Sequence, residues 1–521
     1  MLKRFRVTVL VLLGLYGCPS PGTPDAGQAD AGNPGLDAAA VMDAMPATDA
    51  SPHDLGAEDA APAMDALAPD AEPLDAAPMD AEPADTAFPD AAPVDAGSFH
   101  TQFHLSLGAG RSCVVFEDGR AKCWGDVPGQ TSHGATPNSM GPNLPYLDLG
   151  EPIARLETAE NLSCALLASG AVRCFGDGPY GETGYRGGDY RARPDAPTVG
   201  LTQTATAIDC GWNFACALQA DRQVRCWGLD GQGQLGQGLG HTYTTTAPQP
   251  IDLGAGALVT ALGVAGTHAC ALLQDRSVKC WGANGNGSGD ASGIGGNLGV
   301  GDLRARGNDP GEMGNALGRM QIGNNPSTGM PWSVERLIVA TGATCVIVEG
   351  GRVKCFGRND EAHLGTGNTT SYGSTAGTIG DAVPFLPLGN DPATSLPWVV
   401  QTVALSDDAG CALLANHRLK CWGRSTLGEL GIPLNVLVGD EMAEMGDALP
   451  FLDLGTDPQT QQPWAVEGIY AGKLHFCAVL AGHNIKCWGH NQAGALGSGD
   501  TMDRGIGPND MGDNLPLVQV Q

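Results

Sequence analysis

The sequence predicts an all-β chain, a seven-bladed β-propeller preceded by a disordered linker. Three observations carry this. A cysteine pair with nine residues between its members recurs seven times, and each second cysteine is followed by an aromatic residue and then glycine. The spacer carries hairpin chemistry. Finally, 77 glycines and 36 prolines against 16% charged residues fit many short elements joined by turns and leave little room for long helices. A chain of 521 residues accommodates one large repeat domain with appendages.

Residues 1–18 read as an export signal. Lys3, Arg4 and Arg6 form a positive start, and Val7 to Tyr16 is an apolar run too short to span a bilayer. It ends in Leu15-Tyr16-Gly17-Cys18, which is similar to the bacterial lipobox, so Cys18 is expected to be acylated and to become the new N-terminus. Pro19 follows where an aspartate would hint at inner-membrane retention, which favours the outer membrane. The only membrane association expected is through this lipid.

Residues 19–98 consist almost wholly of Asp, Ala, Pro and Gly, with 17 acidic residues and no Lys or Arg. Such a segment cannot bury enough apolar surface to offset its ordering entropy, so it is expected to be a disordered linker. Extended at ~3.1 Å per residue, it could reach on the order of 250 Å, as a stalk. The remaining residues, 99–521, carry a net charge of about −15, which argues against nucleic acid as a partner.

The pairs are Cys113/Cys123, Cys164/Cys174, Cys216/Cys226, Cys270/Cys280, Cys345/Cys355, Cys411/Cys421 and Cys477/Cys487. In the first, Asp118-Gly119 is a turn signal between two β-prone runs, and folding about it sets the cysteines opposite each other on adjacent strands. Disulfides are therefore expected in an exported protein. A zinc site would want closer cysteine spacing and further ligands, so no metal and no cofactor are expected. Cys210 falls outside the pattern and reads as a small buried residue with a free thiol.

Five inter-blade segments share a Met/Ile-Gly start: Met140-Gly141, Met313-Gly314, Ile379-Gly380, Met445-Gly446 and Met511-Gly512. No blade follows the last of them. Leu515–Val520 is accordingly expected to join the sheet of Leu105–Trp124 and close the ring.

No residue is expected to be catalytic. His268 and His475, each two residues before a blade cysteine, are expected to hydrogen-bond between blades. Asp230-Gly231, Gly301-Asp302 and Gly499-Asp500 lack the ligand spacing of a calcium loop and read as turns. Three ten-residue insertions precede only the last three blades, running from Gly323, Gly389 and Gly455 to Pro331-Trp332, Pro397-Trp398 and Pro463-Trp464. Two readings of Trp332, Trp398 and Trp464 stand. They form a cluster of exposed binding loops, or each packs down on its own blade.

The unit from Ala265-Gly266-Thr267-His268-Ala269-Cys270 to Lys279-Cys280-Trp281-Gly282-Ala283-Asn284, with Gly233-Gln234-Leu235-Gly236 ending the preceding copy, resembles the regulator-of-chromosome-condensation repeat. The resemblance covers about residues 103–520. It implies a seven-bladed propeller with four-stranded blades, while the cysteine pairs fit a secreted bacterial branch. It implies a disc able to bind proteins outside the cell, so the expected function is a non-enzymatic protein-binding scaffold, monomeric and displayed at the cell surface or in the periplasm. The partner is an unidentified protein, or alternatively an envelope glycan bound by the Pro-Trp loops. The family's name-giving member also brings guanine-nucleotide exchange as an alternative, although its contact residues find no counterpart here.

Overall fold

The nine-residue spacer folds as a hairpin in all seven copies. In the first, Arg111–Val115 and Ala121–Gly125 pair antiparallel with Cys113 directly opposite Cys123. The computed structural model describes residues 103–521 except 129–131, 177, 186–190, 240–241, 245–247, 286–294 and 433–435. The expected signal and linker, including Cys18, lie outside the described residues. Among those described, no helix is long and apolar enough to cross a membrane.

Each hairpin gains an inner strand from the residues before it. His104–Leu107, Ile153–Thr158, Ala205–Cys210, Val259–Ala265, Val334–Ala340, Val400–Leu405 and Val466–Ala471 pair antiparallel with the first hairpin strand of blades one to seven. Consecutive inner strands lie side by side, and the seventh lies beside the first, so the blades close a ring.

All seven expected disulfides are formed, one in each blade. Cys113 is bonded to Cys123, Cys164 to Cys174, Cys216 to Cys226 and Cys270 to Cys280. In the last three blades Cys345 is bonded to Cys355, Cys411 to Cys421 and Cys477 to Cys487. The paired Cα atoms are 4.0–4.1 Å apart throughout. This is the closer of the two antiparallel pairings, where side chains meet.

The fourth strand of each blade is an extended segment rather than a full ladder. In blade one the Leu147 N–H donates to Ala121 O at 2.8 Å; Ile251 to Val224 (2.9 Å) and Leu452 to Leu419 (2.8 Å) repeat this bond. Prolines explain the sparse pairing, because Pro145, Pro250, Pro384, Pro450 and Pro516 beside this bond have no N–H to donate. Blades three and six gain a further short strand from a loop, Thr242–Thr244 and Leu437–Val438.

This placement corrects the expected ring closure. Leu515–Val520 does not join the first blade's sheet; the Val518 N–H donates to Ile485 O at 2.8 Å, within blade seven. Its link to blade one is the Gly141 N–H donating to Gln519 O at 2.7 Å. The same glycine bond joins Gly314 to Asp252 (2.8 Å), Gly380 to Gln321 (2.8 Å) and Gly446 to Pro387 (2.7 Å). Every sheet thus keeps its own strands, and the ring closes by the contact that also joins blades three to four, four to five and five to six.

The aromatic after each second cysteine forms the core between blades. Trp124, Trp227, Trp281, Trp422 and Trp488 are fully buried, and Phe175 and Phe356 hold the same position. Each indole N–H donates to a loop carbonyl of the preceding blade: Trp281 to Gln234 at 3.0 Å, Trp422 to His363 at 2.9 Å, and, across the closure, Trp124 to Ala495 at 2.8 Å. Burial of such a side chain contributes roughly 1.5–3 kcal/mol or more, and the bond satisfies the donor that burial would otherwise leave unpaired.

Candidate functional site

The three Pro-Trp insertions are true hairpins of one design. The Asn325 N–H donates to Met330 O (2.8 Å), Asp391 to Leu396 (2.8 Å) and Asp457 to Gln462 (2.9 Å). The same Asn and Asp side chains accept the N–H two residues on, at 2.8–2.9 Å, and so pre-form each tip. Gly329, Ser395 and Gln461 occupy the left-handed region at equivalent positions. At the base, the Asn390 N–H donates to Asp447 Oδ1 (3.0 Å) of the following blade, and a Cβ on Gly389 would collide with that carboxylate, so glycine is required.

Of the two readings of the tryptophans, packing holds. Trp332 meets Phe385 edge to face at 5.3 Å between ring centres, and Trp398 meets Phe451 at 6.0 Å. Phe385 and Phe451 lie in the fourth segment of the blade that each hairpin introduces, and Arg352 caps the Phe385 ring at 3.5 Å. Trp464, with Leu517 in the place of the phenylalanines, is 7% exposed. The alternative, a cluster of exposed indoles, is not formed: Trp332 and Trp398 are half-buried and Trp464 is buried. What the hairpins present instead is their tips, with Met330 65% and Leu396 64% exposed.

Both histidines bridge blades as expected. His268 Nε2 meets Thr344 Oγ1 at 2.9 Å, and His475 Nε2 meets Ser112 Oγ at 3.1 Å across the closure. Burial lowers their pKa values to about 3 and about 4. The expected turns are turns: Asp230 accepts the Leu235 N–H at 3.0 Å, while Asp302 and Asp500 hold Arg306 and Arg504 at 2.6 Å. Cys210 is the free cysteine among the described residues, and burial raises its thiol pKa, which keeps it unreactive.

Two features escaped sequence reasoning. The first is the basic residue before each second cysteine. Lys279 Nζ donates to Leu253 O (2.8 Å) of the preceding blade and to Gly314 O (3.0 Å) of its own. Lys354, Lys420 and Lys486 repeat this pair of bonds, and Arg173 and Arg225 stand in for lysine in blades two and three. The recurrence of Lys or Arg before Cys was the available signal.

The second lies on the inner strands, opposite the first cysteine of each blade. Here stand Ser106, Glu157, Asp209, Gly263, Ile338, Ala404 and Tyr470. Ser106 Oγ accepts the Thr158 N–H at 2.7 Å, and Asp209 Oδ2 accepts the Val264 N–H at 2.7 Å, each from the next blade. Glu157 receives Arg155, His104 (3.4 Å) and Ser106 (3.2 Å). Burial pushes Glu157 up, but the charges of Arg155 and His104 more than offset it and hold the carboxyl low. Burial, followed by the charge of Glu157, pushes Asp209 up. At the turns beyond, Lys473 reaches across blade one to Glu160 at 2.7 Å. These polar groups are engaged in holding blade to blade.

Residues 205–234 and 263–288 match the regulator of chromosome condensation (RCC1) repeat. The chain is 25% identical to the ultraviolet-B receptor UVR8 of Arabidopsis thaliana over 407 residues, which span 77% of this chain and 79% of the receptor. The chain carries RCC1-type repeats. A shorter stretch of 184 residues, 35% of this chain, is 27% identical to the human E3 ubiquitin-protein ligase HERC2 and spans 4% of that protein. Among solved structures, human WBSCR16 superposes with a TM-score of 0.52 at 15% identity, covering 73% of this chain and 87% of that one. The RCC1 ring described here thus agrees with WBSCR16 in fold.

Proposed function

We propose that this RCC1 propeller is a non-enzymatic protein-binding scaffold, exported and held at the cell envelope by a lipid on Cys18. The observation that carries the reading is the set of equivalent hairpins on a stapled ring. Their backbones are fixed by turn and inter-blade bonds, and their tips present Met330 and Leu396 to solvent. Exposed apolar side chains on pre-ordered loops over a rigid frame cost little ordering entropy on binding. The seven disulfides support an oxidising, extracytoplasmic setting. The packing of the three indoles gives the glycan reading less support, since they do not form an open stacking platform.

The test is crosslinking from intact cells followed by capture, comparing wild type with the double variant Met330→Ser/Leu396→Ser. A specific protein captured by wild type and lost from a variant with unchanged melting temperature supports the scaffold. Equal capture by both removes the hairpin face. A fatty-acid analogue that labels wild type but not Cys18→Ser supports the anchor, and equal labelling overturns it.

A further inference from the structure

The hairpin junctions supply a template for reading the one before them. Where blades four, five and six pass to the next, the Trp332, Trp398 and Trp464 N–H groups donate to Gly323, Gly389 and Gly455 O at 3.0–3.1 Å. Between blades three and four the corresponding bond runs from the Ala257 N–H to Gly254 O at 3.2 Å. Asn315 takes the part of Asp381, accepting the Ala255 N–H at 3.1 Å. The backbone frame of the indole socket is therefore present, with an alanine where the indole would start.

The consequence is an open groove of ≈670 Å³ bounded by Leu253, Ala257, Leu258, Leu273, Lys279 and Arg319. Arg319 occupies the place of Phe385 and is held at 2.6 Å by Asp275, with both side chains about half exposed at the rim. Leu258 is 44% exposed beside it. An indole lying here would have an aliphatic floor and a guanidinium in reach of its face, where two of the hairpin junctions offer a phenylalanine ring and the third Leu517.

We propose that this groove is a docking socket for the tryptophan of a Pro-Trp turn on a partner protein. The chain itself shows that the occupant fits, because it fills the same frame from within at three other junctions. The proposal rests on the reading of the propeller as a protein-binding scaffold and names one contact of it. A partner captured from cells that binds Ala257→Trp as well as wild type would leave the scaffold standing and remove the socket.

The direct test uses a fluorescein-labelled peptide with the sequence of residues 389–398, ending Leu-Pro-Trp, titrated with the full-length protein and read by anisotropy. Saturable one-to-one binding is expected. Replacing the peptide's tryptophan by alanine, or filling the socket with Ala257→Trp, should weaken it about tenfold or more. Arg319→Ala should weaken it about two- to fivefold. In case Ala257→Trp does not fold, a peptide carrying a benzophenone in place of the indole is crosslinked to the wild-type protein. Attachment to the fragments holding Leu258 or Arg319 supports the socket. No binding at millimolar peptide, indifference to loss of the tryptophan, or crosslinks elsewhere overturns it.

Discussion

Lys486 donates to the carbonyl of Leu454 at 2.7 Å, so the residue that precedes the last disulfide cysteine of blade seven is bonded to the backbone of blade six. A second bond, to Gly512 O at 2.8 Å, ties the same ammonium to its own blade. Burial lowers the lysine pKa, and Asp513 and Asp453 act against that shift.

Lys486→Met keeps the aliphatic stem and strands two buried carbonyls. Charge-assisted bonds of this kind suggest a loss of about 2–4 kcal/mol in denaturant unfolding. A loss below about 0.5 kcal/mol would show that the bonds are incidental.

Each blade disulfide closes a loop of about eleven residues and should contribute on the order of 2–3 kcal/mol through the unfolded chain. Cys345→Ala/Cys355→Ala should lower stability by about that amount without changing the fold. Alkylation of the propeller should find no reactive thiol in the native state and only Cys210 after unfolding without reductant. Additional thiols would contradict the bridges.

The His475–Ser112 contact predicts an acid-sensitive closure. The imidazole titrates at about 4 when folded and near 6.5 when unfolded, so the unfolded chain binds the extra proton between these values. Stability from this site is full above pH 6.5 and falls as pH drops through that window. Asp407 acts in the opposite direction: burial raises it to about 6, so its contribution is fully present below pH 3.8 and is lost as pH rises through 6. His475→Asn removes only the first effect. The difference between wild type and variant should fall by up to about 1.4 kcal/mol per unit from pH 6 to pH 4. A flat difference would place the imidazole outside the titration.

Val518 is 7% exposed and packs with Leu105, Trp124 and Met140 of the first blade. Val518→Asp buries an unpaired carboxylate at the closure and should cost about 3 kcal/mol or more, measured by thermal and denaturant unfolding. The exposed Gln519→Asp, whose backbone carbonyl still receives Gly141, should change stability by less than about 0.5 kcal/mol.

Most of the frame was legible because it is periodic. The cysteines, the aromatic-glycine step and the turn residues fall in register seven times, and each has a local physical meaning. The errors arose where sequence neighbours are not spatial partners. Leu515–Val520 could have closed either its own sheet or the next, since both offer an apolar edge; the Val518–Ile485 bond is what separates them. Trp332 and Trp398 left two readings open because their partners, Phe385 and Phe451, stand 53 residues further along. Glu157 and Asp209 went unnoticed because their column is held elsewhere by serine, glycine, isoleucine, alanine and tyrosine, and so shows no repeat at all.

Because each sheet is complete within one continuous stretch of chain, the ends have no privileged position in the ring. The Gly141–Gln519 link is the same bond that joins Gly446 to Pro387, so the seam lacks only a continuous backbone. A circularly permuted propeller opened at the tip of the 389–398 hairpin, with residues 103 and 521 joined by a flexible connector, should therefore assemble the same disc. The same modularity makes a whole blade a unit that can be gained or lost by duplication, as the uniform spacing of 66 residues between the last three cysteine pairs suggests.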